Sequence, residues 1–155
     1  MKPVSTGAVL LRARKKGIVI HGFNIPYLPM MEPVVQALRD TETFGLVMVA
    51  RLEWIKFRSG SLKAVYDEYQ AVKDERYTRL HLDHVPVIDE DDLVVDYLPV
   101  IGEALELGYD SVMIDGSRLP LDQNIAATRS VTTLAHPAGV AVEAELGAVM
   151  GHEKG

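Results

Sequence analysis

The chain has 155 residues, of which 48% are hydrophobic and 25% charged, a balance that supports a globular core without covalent staples. A formal net charge of −6 argues against a sequence-independent nucleic-acid binder, and the absence of cysteine excludes disulfides and thiolate metal sites. No segment approaches the roughly 20 apolar residues of a membrane-spanning helix. The opening MKPVSTGAVLLRARKKG lacks the apolar core and cleavage site of a signal peptide. The expectation is one domain over residues 1–155, in the cytoplasm, with neither nucleic acid nor membrane as partner.

In chain order, the pattern predicts a helix over residues 7–16, capped by Ser5 or Thr6 and stopped by Gly17. The apolar run 18–23 predicts a strand ending at Asn24. A helix over 30–40 places Met31, Val34, Val35 and Leu38 on one face, with Pro33 tolerated in the first turn. A second strand, 46–50, ends at Arg51. A helix over 62–75 follows, carrying Leu62, Val65, Tyr69 and Val72 at helical spacing. A third strand, 78–82, runs into Asp83 and His84. The acidic connection 85–92 leads to a helix over 93–107 that Gly108 closes. A fourth strand, 111–114, ends at Asp115-Gly116-Ser117. The helix 121–135 breaks at His136-Pro137, and a fifth strand, 140–144, ends at Glu145. Residues 148–155 read as a loop.

Strands alternating with helices define βαβ units and a parallel sheet. Two architectures accommodate five such strands. One is a doubly wound sheet, for which 155 residues is a natural length. The other is part of an eight-stranded barrel, whose full length is about 250 residues. Length favours the first. Both place the C-terminal ends of the strands on one ligand-binding face. That face would carry Asn24, Arg51, Asp83 with His84, Asp115 with Ser117, and Glu145. The sharpest motif is His81-Leu82-Asp83-His84. A strand-end imidazole ligates zinc or a similar metal, and a neighbouring carboxylate moves a proton at the activated carbon. A polar strand end with a histidine bonded to backbone fits the same spacing equally well. Glu145 and Asp115 complete a nitrogen/oxygen metal site, or serve as cap and loop carboxylates.

HLDH at 81–84, SVMIDGS at 111–117, NIAATRSV at 124–131 and VEAELG at 142–147, preceded by GFN at 22–24, closely resemble class II, zinc-dependent fructose- and tagatose-bisphosphate aldolases. The resemblance implies an α/β fold of the TIM (β/α)8 barrel type, with this chain covering about the first five βα units. It implies reversible aldol cleavage of fructose 1,6-bisphosphate, or a related ketose phosphate, to dihydroxyacetone phosphate and an aldehyde. The implied cofactor is Zn2+, with or without a monovalent cation, and the implied assembly is a homodimer or homotetramer. By the same resemblance His84 is a zinc ligand, and Asp83 is the acid/base serving the nascent hydroxyl. Glu145 contacts zinc in an alternative position, and Asp115 lies near the buried one. Asn24 is a substrate-contacting amide. Glu153 matches the mobile-loop acid that takes the proton from the dihydroxyacetone phosphate carbon.

The chain departs from that family in three respects. The family's other two zinc histidines and its phosphate-binding loops lie beyond the fifth strand, so the expectation is a missing half elsewhere, or a fragment. The serine expected after the second strand is Arg51, which either binds a substrate phosphate or carboxylate or forms an ion pair with Glu53 or another acid. The loop 85–92 is longer and more acidic than in the short-loop tagatose type. Two other functions compete: a barrel that binds a sugar phosphate without catalysis, and a different metal-dependent lyase or isomerase using enediolate chemistry. The presence together of Asp83, His84, Glu145 and Glu153 favours the aldolase, since a pure binder has no use for an acid/base pair.

Overall fold

The computed structural model describes residues 4–147. Its strands are β1 (His21–Asn24), β2 (Gly45–Ala50), β3 (Thr78–Pro86), β4 (Ser111–Asp115) and β5 (Ala141–Ala144). All pair in parallel, in the order β1-β2-β3-β4-β5. A doubly wound sheet must reverse its strand order at a switch point. Here each strand lies beside its predecessor throughout, which is the winding of a barrel wall. The preference drawn from length alone is thus overturned, and the barrel architecture stands.

The helices are α1 (Thr6–Lys16), α2 (Met31–Asp40), α3 (Arg51–Lys56), α4 (Leu62–Val72), α5 (Tyr97–Leu107) and α6 (Leu121–Ala135). Local chemistry sets several ends. Ser5 Oγ accepts a hydrogen bond from the Ala8 N–H at 3.4 Å, and Ser61 Oγ does the same for Ala64 at 3.1 Å. Gly17 and Gly108 close α1 and α5 at φ 65° and 100°, a left-handed conformation that costs glycine little.

Side chains alternate across the sheet. Val47, Val49, Leu80, Leu82, Val112 and Ile114 meet Met31, Val35, Val65, Tyr69, Ile101 and Val131 from the helices, forming one buried core. The intervening residues, among them Met48, His81, Asp83, Ser111, Asp115 and Glu143, point to the opposite face, which is the inside of the barrel wall.

Several boundaries differ from expectation: β3 runs on to Pro86 rather than ending at 82, because Val85 and Pro86 pair with Ile114 and Asp115, and others shift for local reasons. Ile18 is spent on ending α1, its N–H donating to the Ala13 carbonyl at 3.0 Å, so β1 begins only where His21 meets Gly45. Arg51 opens the short α3, too brief to show helical periodicity in sequence. α4 stops at Val72, because Lys73 turns to φ −52°, ψ 147°. α5 starts at Tyr97 because Val94 bridges Ile88 and the Val95 N–H donates to the Val87 carbonyl.

Candidate active site

The site begins with an irregularity in β3. Leu82 pairs with Val112 and Val85 with Ile114, so Asp83 and His84 together oppose the single residue Met113. That extra residue is a β-bulge, which kinks the strand and re-aims side chains. In a regular strand Asp83 and His84 would face opposite sides of the sheet. His84 instead adopts φ 34°, a conformation disfavoured for any residue with a Cβ, and its ring turns toward the mouth of the barrel wall. Strain of this kind persists where surrounding contacts fix it, and here they are polar contacts.

His84 Nδ1 lies 3.1 Å from Asp115 Oδ2 and 3.7 Å from Glu145 Oε2, while His84 Nε2 is 4.0 Å from Asp83 Oδ1. The hydrogen bond to Asp115 is the largest influence raising the imidazole to about 9; partial burial opposes it and the nearby carboxylates add to it. Burial works to raise Asp115, but hydrogen bonds from His84 and Ser117 outweigh it and hold the carboxyl below its ordinary value. His84, Asp115 and Glu145 each offer one ligand atom, all within 4.8 Å of one another. One imidazole nitrogen and two carboxylate oxygens form a donor set suited to zinc or a similar divalent ion.

Asp83 is fixed from the side of β1. Asn24 Nδ2 donates to Asp83 Oδ2 at 2.8 Å and lies 3.4 Å from Glu53 Oε2. The same Glu53 oxygen accepts the Ala50 N–H at 2.7 Å, which caps α3. Burial raises the Glu53 carboxyl, against those two hydrogen bonds. Below Asp83, the His81 ring is buried and shares a 2.8 Å hydrogen bond between Nδ1 and Ser111 Oγ. His81 Nε2 stands 3.6 Å from Glu143 Oε2 and 4.0 Å from Asp83 Oδ1, with no hydrogen-bond partner among the described residues. Burial lowers this imidazole to about 4, so the ring is neutral at ordinary pH.

Glu145 is steadied through its backbone: Asn124 Nδ2 donates to the Glu145 carbonyl at 2.7 Å, and Thr128 Oγ1 donates to Asn124 Oδ1 at 3.3 Å. Gly116 makes room for that amide, since a Cβ there would fall 2.6 Å from Asn124 Oδ1. Arg51 Nη1 lies 3.3 Å from Asp89 Oδ2, an ion pair with another acid that ties α3 to the loop after β3. Lys56 holds the same loop through Asp91 and Glu90, and Arg118 through the Asp89 carbonyl and the Asp92 carboxylate.

Of the residues singled out from sequence, Asn24, Asp83, His84, Asp115 and Glu145 converge at the strand ends, and Arg51 sits at their margin. Glu153 and the loop 148–155 lie outside the described residues. Glu53, Asn124, His81 and Arg118 join the site as residues to which sequence reasoning assigned no role in it. His81 and Asn124 stood inside quoted motifs; Glu53 would follow only from recognising α3. A cleft of about 580 Å3 opens over the assembly, with Asn24, Glu53, Asp83, His84, Asp115 and Arg118 among its walls.

A sequentially wound parallel sheet, with polar groups and a cluster able to hold a metal ion gathered at its C-terminal rim, defines the wall of a (β/α)8 barrel. Over residues 4–155 the chain matches the class-II fructose-bisphosphate aldolases, and it belongs to that family. It is 31% identical to a probable fructose-bisphosphate aldolase from Bacillus subtilis, an alignment covering 99% of this chain and 51% of the relative. It is likewise 31% identical to a fructose-bisphosphate aldolase from Streptococcus pyogenes serotype M3, covering all of this chain and 50% of that one. Among solved structures, the YdjI aldolase from Escherichia coli K12 superposes with a TM-score of 0.72 at 23% identity, covering 90% of this chain and 50% of that chain. Fructose-bisphosphate aldolase from Campylobacter jejuni gives a TM-score of 0.74 at 20% identity, covering 96% and 48%. These structures share the fold. The chain spans about half the length of the curated relatives it matches. No helix among the described residues is long and apolar enough to cross a membrane.

Proposed function

We propose that this chain supplies the acid/base and part of the metal centre of a zinc-dependent class II aldolase. The reaction is reversible cleavage of fructose 1,6-bisphosphate, or a related ketose phosphate, to dihydroxyacetone phosphate and an aldehyde. The observation that carries this reading is the convergence of Asp83, His84, Asp115 and Glu145 at one rim, with Asn24 bonded to Asp83 at 2.8 Å.

Asp83 takes the proton from the substrate hydroxyl as the carbon–carbon bond breaks, and returns it in the condensation direction. Asn24 occupies Asp83 Oδ2, which leaves Oδ1 to face the substrate. His84, with Asp115 and Glu145, holds the zinc ion. When bound, zinc supplies Lewis-acid stabilisation of the negative charge that develops on the substrate's oxygens. Glu153 carries the proton to and from the carbon left behind, and Arg51 serves the substrate side by fixing the loop that walls the cleft. The same reading implies one domain over residues 1–155, a cytoplasmic location and a homodimer or homotetramer.

The test is cleavage of fructose 1,6-bisphosphate by the full-length polypeptide, with and without zinc, beside the Asp83→Ala variant. Activity that requires zinc and vanishes in Asp83→Ala, with zinc content retained, supports the reading. Unchanged turnover in that variant sinks it.

A further inference from the structure

Below Asp83 lies a buried ring to which the proposed reaction gives no part. His81 stands two residues earlier on β3, so both side chains point to the inside of the barrel wall. The ring is 1% exposed. Leu10 from α1 and Leu46, Ser111, Val142 and Glu143 from the neighbouring strands line the same small pocket.

One proton decides what this ring does. Burial keeps the imidazole neutral, so only one of its nitrogens carries hydrogen. The charged groups beside Nε2 are carboxylates, with Glu143 Oε2 at 3.6 Å and Asp83 Oδ1 at 4.0 Å. Partial burial raises the Glu143 carboxyl, but with 58% of its side chain exposed it stays ionised at neutral pH. Ionised carboxylates only accept, and a nitrogen lone pair turned toward two of them is repelled. Ser111 suits either tautomer, because a hydroxyl both donates and accepts. Its Oγ lies 2.8 Å from Nδ1. The lower-energy arrangement therefore has Ser111 donating to Nδ1 and the ring hydrogen on Nε2.

That N–H faces the reacting end of Asp83. Asn24 occupies Oδ2 at 2.8 Å, and the oxygen on the His81 side is Oδ1, the one left for substrate. Neither carboxylate is close enough to His81 for a hydrogen bond. The N–H acts instead as a fixed dipole, and a water-poor wall strengthens its pull on a charge. Held by an amide at one oxygen and a dipole behind the other, the Asp83 carboxylate keeps one tilt. We propose, resting on the aldolase reading above, that His81 is a positioning residue whose Nε2–H, set by Ser111, orients the free oxygen of Asp83 toward the substrate hydroxyl.

Two activities of the zinc-loaded, full-length polypeptide separate this role from a structural one. Cleavage of fructose 1,6-bisphosphate uses Asp83 at the hydroxyl. Exchange of the carbon-bound proton of dihydroxyacetone phosphate with solvent draws on Glu153 and the metal but not on Asp83. His81→Met is expected to lower kcat for cleavage about tenfold or more, with KM little changed and proton exchange retained. His81→Gln, whose amide places an N–H donor near the position of Nε2, recovers most of that loss. Ser111→Ala, which touches neither carboxylate, shows the same split more weakly and serves if His81→Met does not fold. Exchange that falls as far as cleavage, or cleavage that does not fall, overturns the proposal. The ring 15N shifts read the tautomer separately: hydrogen on Nε2 is expected, and hydrogen on Nδ1 overturns the proposal whatever the rates. A wild-type polypeptide that neither cleaves nor exchanges sinks the aldolase reading instead, and the positioning role with it.

Discussion

His84 Nδ1 and Asp115 Oδ2 stand 3.1 Å apart, and this pair keeps the imidazole charged in the metal-free protein until about pH 9. A metal ion must displace that proton, so binding and deprotonation are linked. Zinc affinity is expected to rise about tenfold per pH unit between pH 6.5 and 9, then level off. Competition with a chromophoric chelator across that range measures it, and a flat profile contradicts the pairing. The metal-free fold responds in the opposite sense. The folded value lies above the ordinary 6.5, so the pair's stabilisation is complete below pH 6.5 and is lost as pH rises through about 9. In Asp115→Asn the largest influence on His84 is gone, and both transitions move to lower pH.

Asn24 is expected to matter for rate rather than for folding. It holds one oxygen of Asp83 and also lies against Glu53, so it separates two carboxylates that would otherwise repel. Asn24→Ala leaves Asp83 free to turn, and misplacement of a reacting group by about 1 Å costs on the order of 10²-fold in rate. Asn24→Asp adds a third carboxylate and is expected to be worse at neutral pH. Steady-state kinetics on both variants decide the matter; an Asn24→Asp enzyme as fast as wild type would rule out this role.

Two glycines give a matched comparison. A Cβ on Gly116 falls 2.6 Å from Asn124 Oδ1 and 2.7 Å from Asn124 Cγ, so Gly116→Ala must push that amide off the Glu145 carbonyl. Overpacking of this sort costs about 1–3 kcal/mol. Loss of the tether also weakens metal binding through Glu145. Gly102, inside α5, has nothing within 4 Å of its added Cβ, and Gly102→Ala is expected to be neutral or stabilising by up to about 1 kcal/mol. Chemical denaturation and zinc titration of the two variants check the contrast. Equal effects would mean that the Asn124 contact carries no weight.

The elements legible in sequence were those whose causes are local. α6 runs over the residues that its periodicity and the following His136-Pro137 predict, and Ser5 and Gly17 bracket α1 as expected. Strand order was not legible from length or pattern, because either winding satisfies the same alternation; only the resemblance pointed to the barrel. The bulge at Asp83 and His84 depends on the register of β4, about thirty residues later, so no spacing rule along β3 reveals it. The gathering of His84, Asp115 and Glu145 was legible because strand ends share a face whatever the winding. Glu53, Asn124 and Arg118 were not, since each acts through a contact with a distant element: Asn24, the Glu145 carbonyl and the loop after β3. Arg51 left two outcomes open in sequence, and burial of Asp89 beside it explains its ion pair.

His81 should make the fold sensitive to acid. Its ring is buried, Nδ1 is committed to Ser111, and burial lowers the imidazole from 6.5 to about 4. The unfolded chain therefore takes up a proton at higher pH than the folded one does. Stability contributed by the neutral ring is complete above pH 6.5 and drains away as pH falls toward 4. His84 does not confuse this window, because it stays charged throughout. Carboxylates that titrate near pH 4 act on wild type and variant alike. His81→Gln retains a polar partner for Ser111 and cannot titrate. It is expected to be less stable than wild type at pH 7, yet to lose less between pH 6.5 and 4.5 in urea denaturation. Parallel stability profiles for the two proteins would show that protonation of His81 is not what acid acts on.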